Sequence, residues 1–98
     1  MLVHGYDYVI PGEGKSGKWL HEPMNAKGIP HAEQKAVIAV IIDDLDRELR
    51  DLERKYAHVH HVNCLNQARH PWYDEIHPTG EGFAQVAAAV RSVIERVV

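Results

Sequence analysis

Residues 72–82 read Trp-Tyr-Asp-Glu-Ile-His-Pro-Thr-Gly-Glu-Gly and lead directly into a strongly helical segment. Asp74 and His77 stand three residues apart within this stretch. A carboxylate beside a histidine holds one ring nitrogen and sets the tautomer, so that the other nitrogen can accept a proton from a nucleophile. Thr79 suits the N-cap of the helix that follows, and Glu81 would place a favourable negative charge in its first turn. The stretch therefore predicts an acid–base pair on a short loop that feeds a helix.

The same two residues have a simpler interpretation. An aspartate before a helix often satisfies loop amides, and a histidine there can bond a carbonyl. The spacing of Asp74 and His77 alone favours this structural role. The surrounding Trp-Tyr and His-Pro-Thr-Gly residues favour the catalytic one.

Composition limits the classes of protein to consider. Ninety-eight residues with 45% hydrophobic and 26% charged content indicate one globular domain at most. A net charge of −3 gives no electrostatic reason to expect nucleic acid as a partner. The longest apolar run, residues 36–42, is too short to span a membrane, so no membrane partner is expected. The first residues do not have the pattern of a signal peptide, so the default expectation is a cytoplasmic location, with the compartment of any longer parent protein open.

Hydrophobic periodicity predicts alternating strands and helices. A strand is expected at 2–4, extending at most to 9, and a second at 58–64, since both are rich in β-branched and aromatic residues. Helices are expected at about 31–56 and from 80 to the end. Such alternation implies a parallel pair of strands joined by a helical crossover. The fold class is therefore α/β, with a β-α-β-α order.

The long predicted helix has an apolar stripe and a charged face. The stripe contains residues at steps of three and four, namely Ile38, Ile41, Ile42, Leu45, Leu49, Leu52 and Tyr56. The charged face contains Asp43, Asp46, Arg47, Arg50, Asp51, Arg54 and Lys55, and its i,i+4 pairs indicate a solvated surface. A coiled-coil or partner helix is the alternative, but the stripe is wider than a two-position seam.

Residues 11–30 form a predicted long loop with three prolines. Its Gly-Lys-Ser at 14–16 suggests a phosphate-binding loop, but the position that needs the first glycine is Val9, so nucleotide binding is not expected. Trp19 and His21 could line a substrate cleft. The simpler interpretation is that Trp19 buries its ring and pins the loop to the body of the protein.

A histidine-rich segment raises the question of a metal. Residues 58–64 read His-Val-His-His-Val-Asn-Cys, and His70 and His77 follow. Imidazole and thiolate are zinc ligands, but four ligands at a recognised spacing are not present. We therefore predict no metal and no cofactor, and interpret these residues as polar positions of a strand. One cysteine also excludes an internal disulfide, and Cys64 is more simply a buried apolar residue than a nucleophile.

The Asp-Glu-Ile-His-Pro-Thr block at 74–79, followed by Gly-Glu-Gly-Phe-Ala-Gln-Val-Ala, resembles the C-terminal D-x-x-H block of the SGNH (GDSL-type) hydrolases. Residues 3–11, with a tryptophan a few residues later, resemble the strand and loop that follow that family's G-x-N-D block. The resemblance implies Asp74 as the orienting acid and His77 as the general base. It also implies that 1–98 is a single partial domain, the C-terminal part of a flavodoxin-like three-layer hydrolase.

The chain departs from the family pattern in one essential respect. The nucleophilic serine of a Gly-Asp-Ser motif and the oxyanion-hole glycine and asparagine are not present, and neither Ser16 nor Ser92 has that context. The resemblance thus implies a small ester substrate only if a missing N-terminal half completes the site. The alternative is a non-catalytic α/β module that self-associates or binds a partner. Because two strands alone leave an open edge, a homodimer through that edge is a further expectation.

Overall fold

The computed structural model describes residues 1–12, 19–68 and 72–98. The elements within them, in chain order, are β1 (Leu2–His4), α1 (His21–Ala26), α2 (His31–Lys55), β2 (His60–Val62) and α3 (Gly80–Val97). The predicted α/β class is confirmed, as are the two long helices to within a residue of their predicted limits. The first strand lies at 2–4 as predicted and ends before Gly5, without extending to 9, whereas the second is shorter than the predicted 58–64 and spans only His60–Val62.

β1 and β2 form a parallel pair, as the alternation of elements predicted. Leu2, Val3 and His4 align with His60, His61 and Val62. Successive strand residues point to opposite faces. On β2, His61 contacts Asp46 of α2, whereas Val62 packs with Val93 of α3. The two long helices therefore cover opposite faces of the sheet.

α2 buries a narrower row than its sequence stripe predicted. The buried residues, spaced four apart, are Gln34, Ile38, Ile42 and Asp46. Ile41 and Leu45, predicted to face inward, are 57% and 42% exposed. A two-stranded sheet is too narrow to cover the whole stripe, so only one row of the helix reaches the core. The prediction of a solvated Asp46 was wrong, because a histidine on β2 faces it.

α3 shows the same effect. The spacing of apolar residues in this segment predicts an inward stripe of Phe83, Val86, Ala87, Val90, Ile94 and Val97. Val86 and Val90 pack with Val93 against the buried Val62 and Cys64. The other four members of the stripe are exposed, so the prediction was wrong for Phe83, Ala87, Ile94 and Val97. The described residues therefore leave part of the apolar surface of this helix uncovered.

The predicted loop before α2 contains a helix that sequence reasoning missed. α1 spans six residues and includes Pro23, which obscures a helical pattern. Proline is tolerated in a first turn because its missing amide proton has no partner there. Leu20 and Met24 pack against the core cluster that contains Ile38 and Trp72. This packing, rather than local propensity, stabilises so short a helix.

The two edges of the sheet differ. His60 donates its amide proton to Met1 across the pair, so the neighbouring His61 amide faces outward. That outward amide donates to the Glu53 carboxylate at 2.5 Å. The opposite edge belongs to β1, where Leu2 and His4 face outward by the same alternation and are exposed. The β2 edge is capped by a side chain, and the β1 edge is the one at which a further strand could join.

Candidate active site

The predicted pair is brought together by the structure. His77 Nδ1 lies 2.9 Å from each carboxylate oxygen of Asp74. Because the carboxylate can only accept, Nδ1 carries the proton and Nε2 presents its lone pair. The Asp74 side chain is 8% exposed, whereas that of His77 is 51% exposed. A buried acid thus orients an imidazole that is itself half exposed.

Backbone amides hold the Asp74 carboxylate in place. Its Oδ1 accepts from the amides of Ile76 at 3.0 Å and His77 at 2.8 Å. Burial raises the pKa of Asp74, but the His77 ring and these two amides lower it more, so the pKa lies below its usual range. The carboxylate is therefore charged at neutral pH.

The loop that carries the pair is closed on itself. The Tyr73 amide donates to the His77 carbonyl at 2.9 Å, and Trp72 forms an antiparallel bridge with Pro78. Thr79 caps α3 as predicted, accepting from the Gly82 amide at 3.3 Å. A Cβ at Gly82 would lie 2.8 Å from the Pro78 ring, so only glycine permits this close approach. The helix start and the loop are thus packed as one rigid unit.

A second anchor comes from the segment after β1. The Tyr6 hydroxyl donates to the carbonyl of Ile76, the residue between the acid and the base. Burial, and then the negative charge of Asp74, raise the pKa of Tyr6, so it remains a donor at neutral pH. Its ring also packs against Trp72, with the centroids 6.1 Å apart. The two segments with the family resemblance are therefore in contact.

Glu75 is the site residue that sequence reasoning missed. It is fully buried and accepts four backbone amides from residues far earlier in the chain. Oε2 accepts from Gly12 at 3.0 Å and His21 at 2.7 Å, and Oε1 accepts from Trp19 at 3.1 Å and Leu20 at 3.3 Å. Burial raises the pKa of Glu75, but the four amides together lower it by more, so the pKa lies below its usual value. A charged residue beside the Asp-His pair was the only sequence signal.

Trp19 lies at the site rather than in the core. Its ring is 50% exposed, so the prediction that it pins the loop by burial was wrong. The ring centroid lies 5.9 Å from that of His77, with the planes at 79°. His21, the other predicted cleft residue, turns away and bonds Gln34 of α2 at 2.8 Å. Of the two predicted cleft residues, Trp19 is the one that contacts the base His77.

Of the other candidate nucleophiles, the two that the structure describes are not arranged for chemistry. Cys64 is 2% exposed, and burial with the nearby Asp7 and Asp46 charges raises its thiol pKa, so little thiolate forms. Ser92 is an exposed residue of α3. Ser16, the Gly-Lys-Ser stretch and His70 lie outside the described residues.

The histidine side chains of residues 58–64 do not come together at one point. His61 is bonded to Asp46, whereas His58 is exposed beside Tyr56. Across residues 1–12, 19–68 and 72–98, no three His, Cys, Asp or Glu side chains are grouped so that they could hold a metal ion.

A cavity lined in part by Asp7 and Trp72 does not coincide with the pair. It has a volume of about 550 Å³ and is lined by residues that include Tyr8, Lys35 and Trp72, but by neither Asp74 nor His77. The Asp7 carboxylate in its wall is occupied by the amides of Tyr8, Asn66 and Ala68. We therefore place the candidate site by its chemistry, at the exposed face of His77, and not by cavity size.

Comparison with protein-family models, with curated proteins and with solved structures found no match for this chain. Within the part of the chain that the structure describes, none of the helices has both the length and the apolar character needed to cross a bilayer.

Proposed function

We propose that this chain is the C-terminal part of a serine ester hydrolase of the SGNH type. Asp74 and His77 act as the acid and base of its triad, and a part of the protein outside residues 1–98 supplies the serine and the oxyanion donors. The proposed parent domain is flavodoxin-like and three-layered, with β1 and β2 as members of a larger parallel sheet. Its substrate is a small ester.

One observation carries the proposal. The His77 Nδ1–H donates to a buried, charged Asp74, while half of the ring remains exposed. A histidine with a purely structural role usually has its polar atoms occupied and its ring covered. Here one nitrogen is fixed and the other is presented, which is the requirement for a general base.

The arrangement supports a defined proton path. The Nε2 lone pair accepts the serine hydroxyl proton as the serine oxygen bonds to the ester carbonyl carbon. Asp74 stabilises the imidazolium that forms, without taking the proton itself. Nε2–H then returns the proton to the leaving alkoxide as the ester C–O bond breaks. Removing such a base typically costs about 10²- to 10⁴-fold in rate.

Features of the fold favour the proposal that β1 and β2 belong to a larger sheet. The β2 edge is capped by Glu53, whereas no described residue forms a further strand beside β1. Apolar residues on both helices remain exposed, including Ile41 and Val40 of α2 and Phe83 of α3. Parallel sheets are normally covered on both faces and extend over more than two strands. Further strands beyond β1 would cover these residues and bring a serine to the same sheet end.

The chain alone provides a direct test. His77 should hydrolyse p-nitrophenyl acetate weakly, because Nε2 can attack the activated carbonyl, expel p-nitrophenolate and lose the acyl group to water. His77→Ala should reduce the rate to the buffer level, and Asp74→Asn should lower it because the tautomer is no longer fixed.

The matched control is His58→Ala, which removes an exposed histidine from a different segment of the chain. This variant should retain the wild-type rate. Equal rates for wild type and His77→Ala would contradict a reactive His77. A rate like that of competent esterases, lost in His77→Ala, would contradict the absence of a nucleophile from this chain.

The second candidate function is a non-catalytic module that pairs with a copy of itself or with another protein. The open β1 edge and the exposed apolar residues of α2 favour it. A fluorophosphonate probe and sedimentation separate the two functions. Labelling of a serine in the protein with its natural upstream sequence supports the hydrolase. A stable dimer that is never labelled, and that Leu2→Lys on β1 dissociates, supports the module.

A further inference from the structure

We propose that Glu75 is a positioning residue, which holds the backbone of residues 19–21 so that Trp19 lies against the base His77. The proposal rests on the proposed function, because it assigns Trp19 a place beside the reacting group. It extends that function by making Trp19 one wall of the space in which the ester must lie. An apolar or aromatic group of the ester is the chemistry that such a wall would favour.

The first step is the burial of Glu75. A fully buried carboxylate is costly unless its charge is compensated. Here the compensation comes from four backbone amides, all of residues 54 to 63 positions away in the chain. A carboxylate in the Asp-Glu-Ile-His block therefore has its partners in the segment that carries Trp19, and not in its own loop.

The second step is how firmly the backbone of residues 19–21 is held. The Trp19 amide itself donates to Glu75 at 3.1 Å, and the His21 amide donates at 2.7 Å. From the other side, the His21 ring bonds Gln34, a fully buried residue of α2 that also donates to the Ile29 carbonyl. The backbone around Trp19 is thus fixed by Glu75 on one side and by α2 on the other.

The third step is the contact with the base. The Trp19 and His77 rings meet nearly at right angles, with centroids 5.9 Å apart. Trp19 is half exposed, so its ring is not placed by core packing. Its position follows from its backbone, which Glu75 holds. Because Glu75 lies between Asp74 and His77 in the chain, the wall and the acid–base pair are fixed relative to one another.

Fluorescence provides a test that does not depend on hydrolysis. An imidazole in contact with an indole quenches its emission, so His77 should quench Trp19. Trp19→Phe isolates the emission of Trp72, and the difference from wild type gives the Trp19 signal. His77→Ala should increase that signal, because the quenching group is removed.

Glu75→Gln is the decisive variant, because the amide keeps the size of the side chain but presents an NH₂ group to two of the four donors. We expect the Trp19 signal to rise to the level of His77→Ala, because the indole is no longer held against the imidazole, while the helical circular dichroism is retained. The control Glu95→Gln, at an exposed site on α3, should leave the signal unchanged. An unchanged signal in Glu75→Gln would overturn the proposal.

If Glu75→Gln does not fold, wild-type hydrogen exchange decides. The amides of Gly12, Trp19, Leu20 and His21 should be protected at neutral pH, and their protection should be lost together as the pH falls through the pKa of Glu75. Exchange of all four at the rate of an unstructured peptide would refute the positioning role. Neither measurement involves an ester. The positioning role of Glu75 can therefore be confirmed or refuted whether or not the protein hydrolyses esters, and a failure of one proposal does not decide the other.

Discussion

Two histidine–aspartate pairs of the described residues have the same contact distance and opposite surroundings. His77 and Asp74 lie on a loop before α3, and His61 and Asp46 join β2 to α2. The nitrogen–oxygen distance is 2.9 Å in both. The difference is burial, because the side chain of His77 is 51% exposed and that of His61 is 6% exposed.

Burial decides what each pair can do. The His61 ring is enclosed, its Nε2 is taken by Asp46, and Arg50 holds the second oxygen of that carboxylate at 2.8 Å. This pair ties a helix to a strand. The His77 pair buries only the acid and leaves the base accessible, which is the arrangement that catalysis requires. Identical distances therefore do not indicate identical roles.

The largest expected effect comes from breaking the buried pair. His61→Ala removes a buried ring and leaves Asp46 with only a half-exposed arginine as its partner. We expect a loss of about 3 kcal/mol in the free energy of unfolding. His77→Ala should cost less, about 1 kcal/mol, because its ring is half exposed and the Asp74 carboxylate keeps the amides of residues 76 and 77. Urea unfolding followed by circular dichroism measures both.

His58→Ala serves as the reference for an exposed histidine without a carboxylate partner among the described contacts, and it should behave like wild type. The comparison would break down if His77→Ala lost as much stability as His61→Ala. The exposed pair would then be a structural tie as well, and its catalytic interpretation would lose its main support.

The sequence predicted one of these pairs and not the other, for a physical reason. Asp74 and His77 are three residues apart, so local spacing places them together. Asp46 and His61 are fifteen residues apart, and only the packing of α2 on β2 brings them into contact. On the helix, Asp46 belongs by sequence to a charged face, so its burial could not be predicted from periodicity.

The fold was predictable where the pattern is long. The apolar spacing repeats over about seven turns in α2 and about five in α3, and both helices end within a residue of their predicted limits. α1 is six residues long and depends on Leu20 and Met24 reaching the core, so no local signal announced it. Glu75 was missed for a similar reason, since its four partners lie more than fifty positions away.

A smaller effect should follow from loosening the loop that carries the exposed pair. Thr79→Ala removes the side chain that accepts the Gly82 amide at the start of α3. The expected loss of stability is about 1 kcal/mol. Amide exchange should increase in residues 79–82 and leave β2 and α2 unchanged, because the buried pair does not depend on this cap. Faster exchange at His61 would show that the two regions are not independent.

The smallest expected effect concerns the pKa of the aspartate in the exposed pair. In Asp46, both carboxylate oxygens are held by side chains, whereas Asp74 also accepts two backbone amides. His77→Ala should therefore raise the pKa of Asp74, because burial still raises it and only the amides of residues 76 and 77 remain to lower it. A carboxyl whose folded pKa is lowered contributes stability that is present above its unfolded pKa, about 3.9, and is lost as the pH falls through the folded pKa. Carbon-13 titration of the Asp74 carboxyl in both proteins measures the shift, and a pKa that returns fully to the unfolded value in His77→Ala would mean that the imidazole, and not the loop, holds the acid.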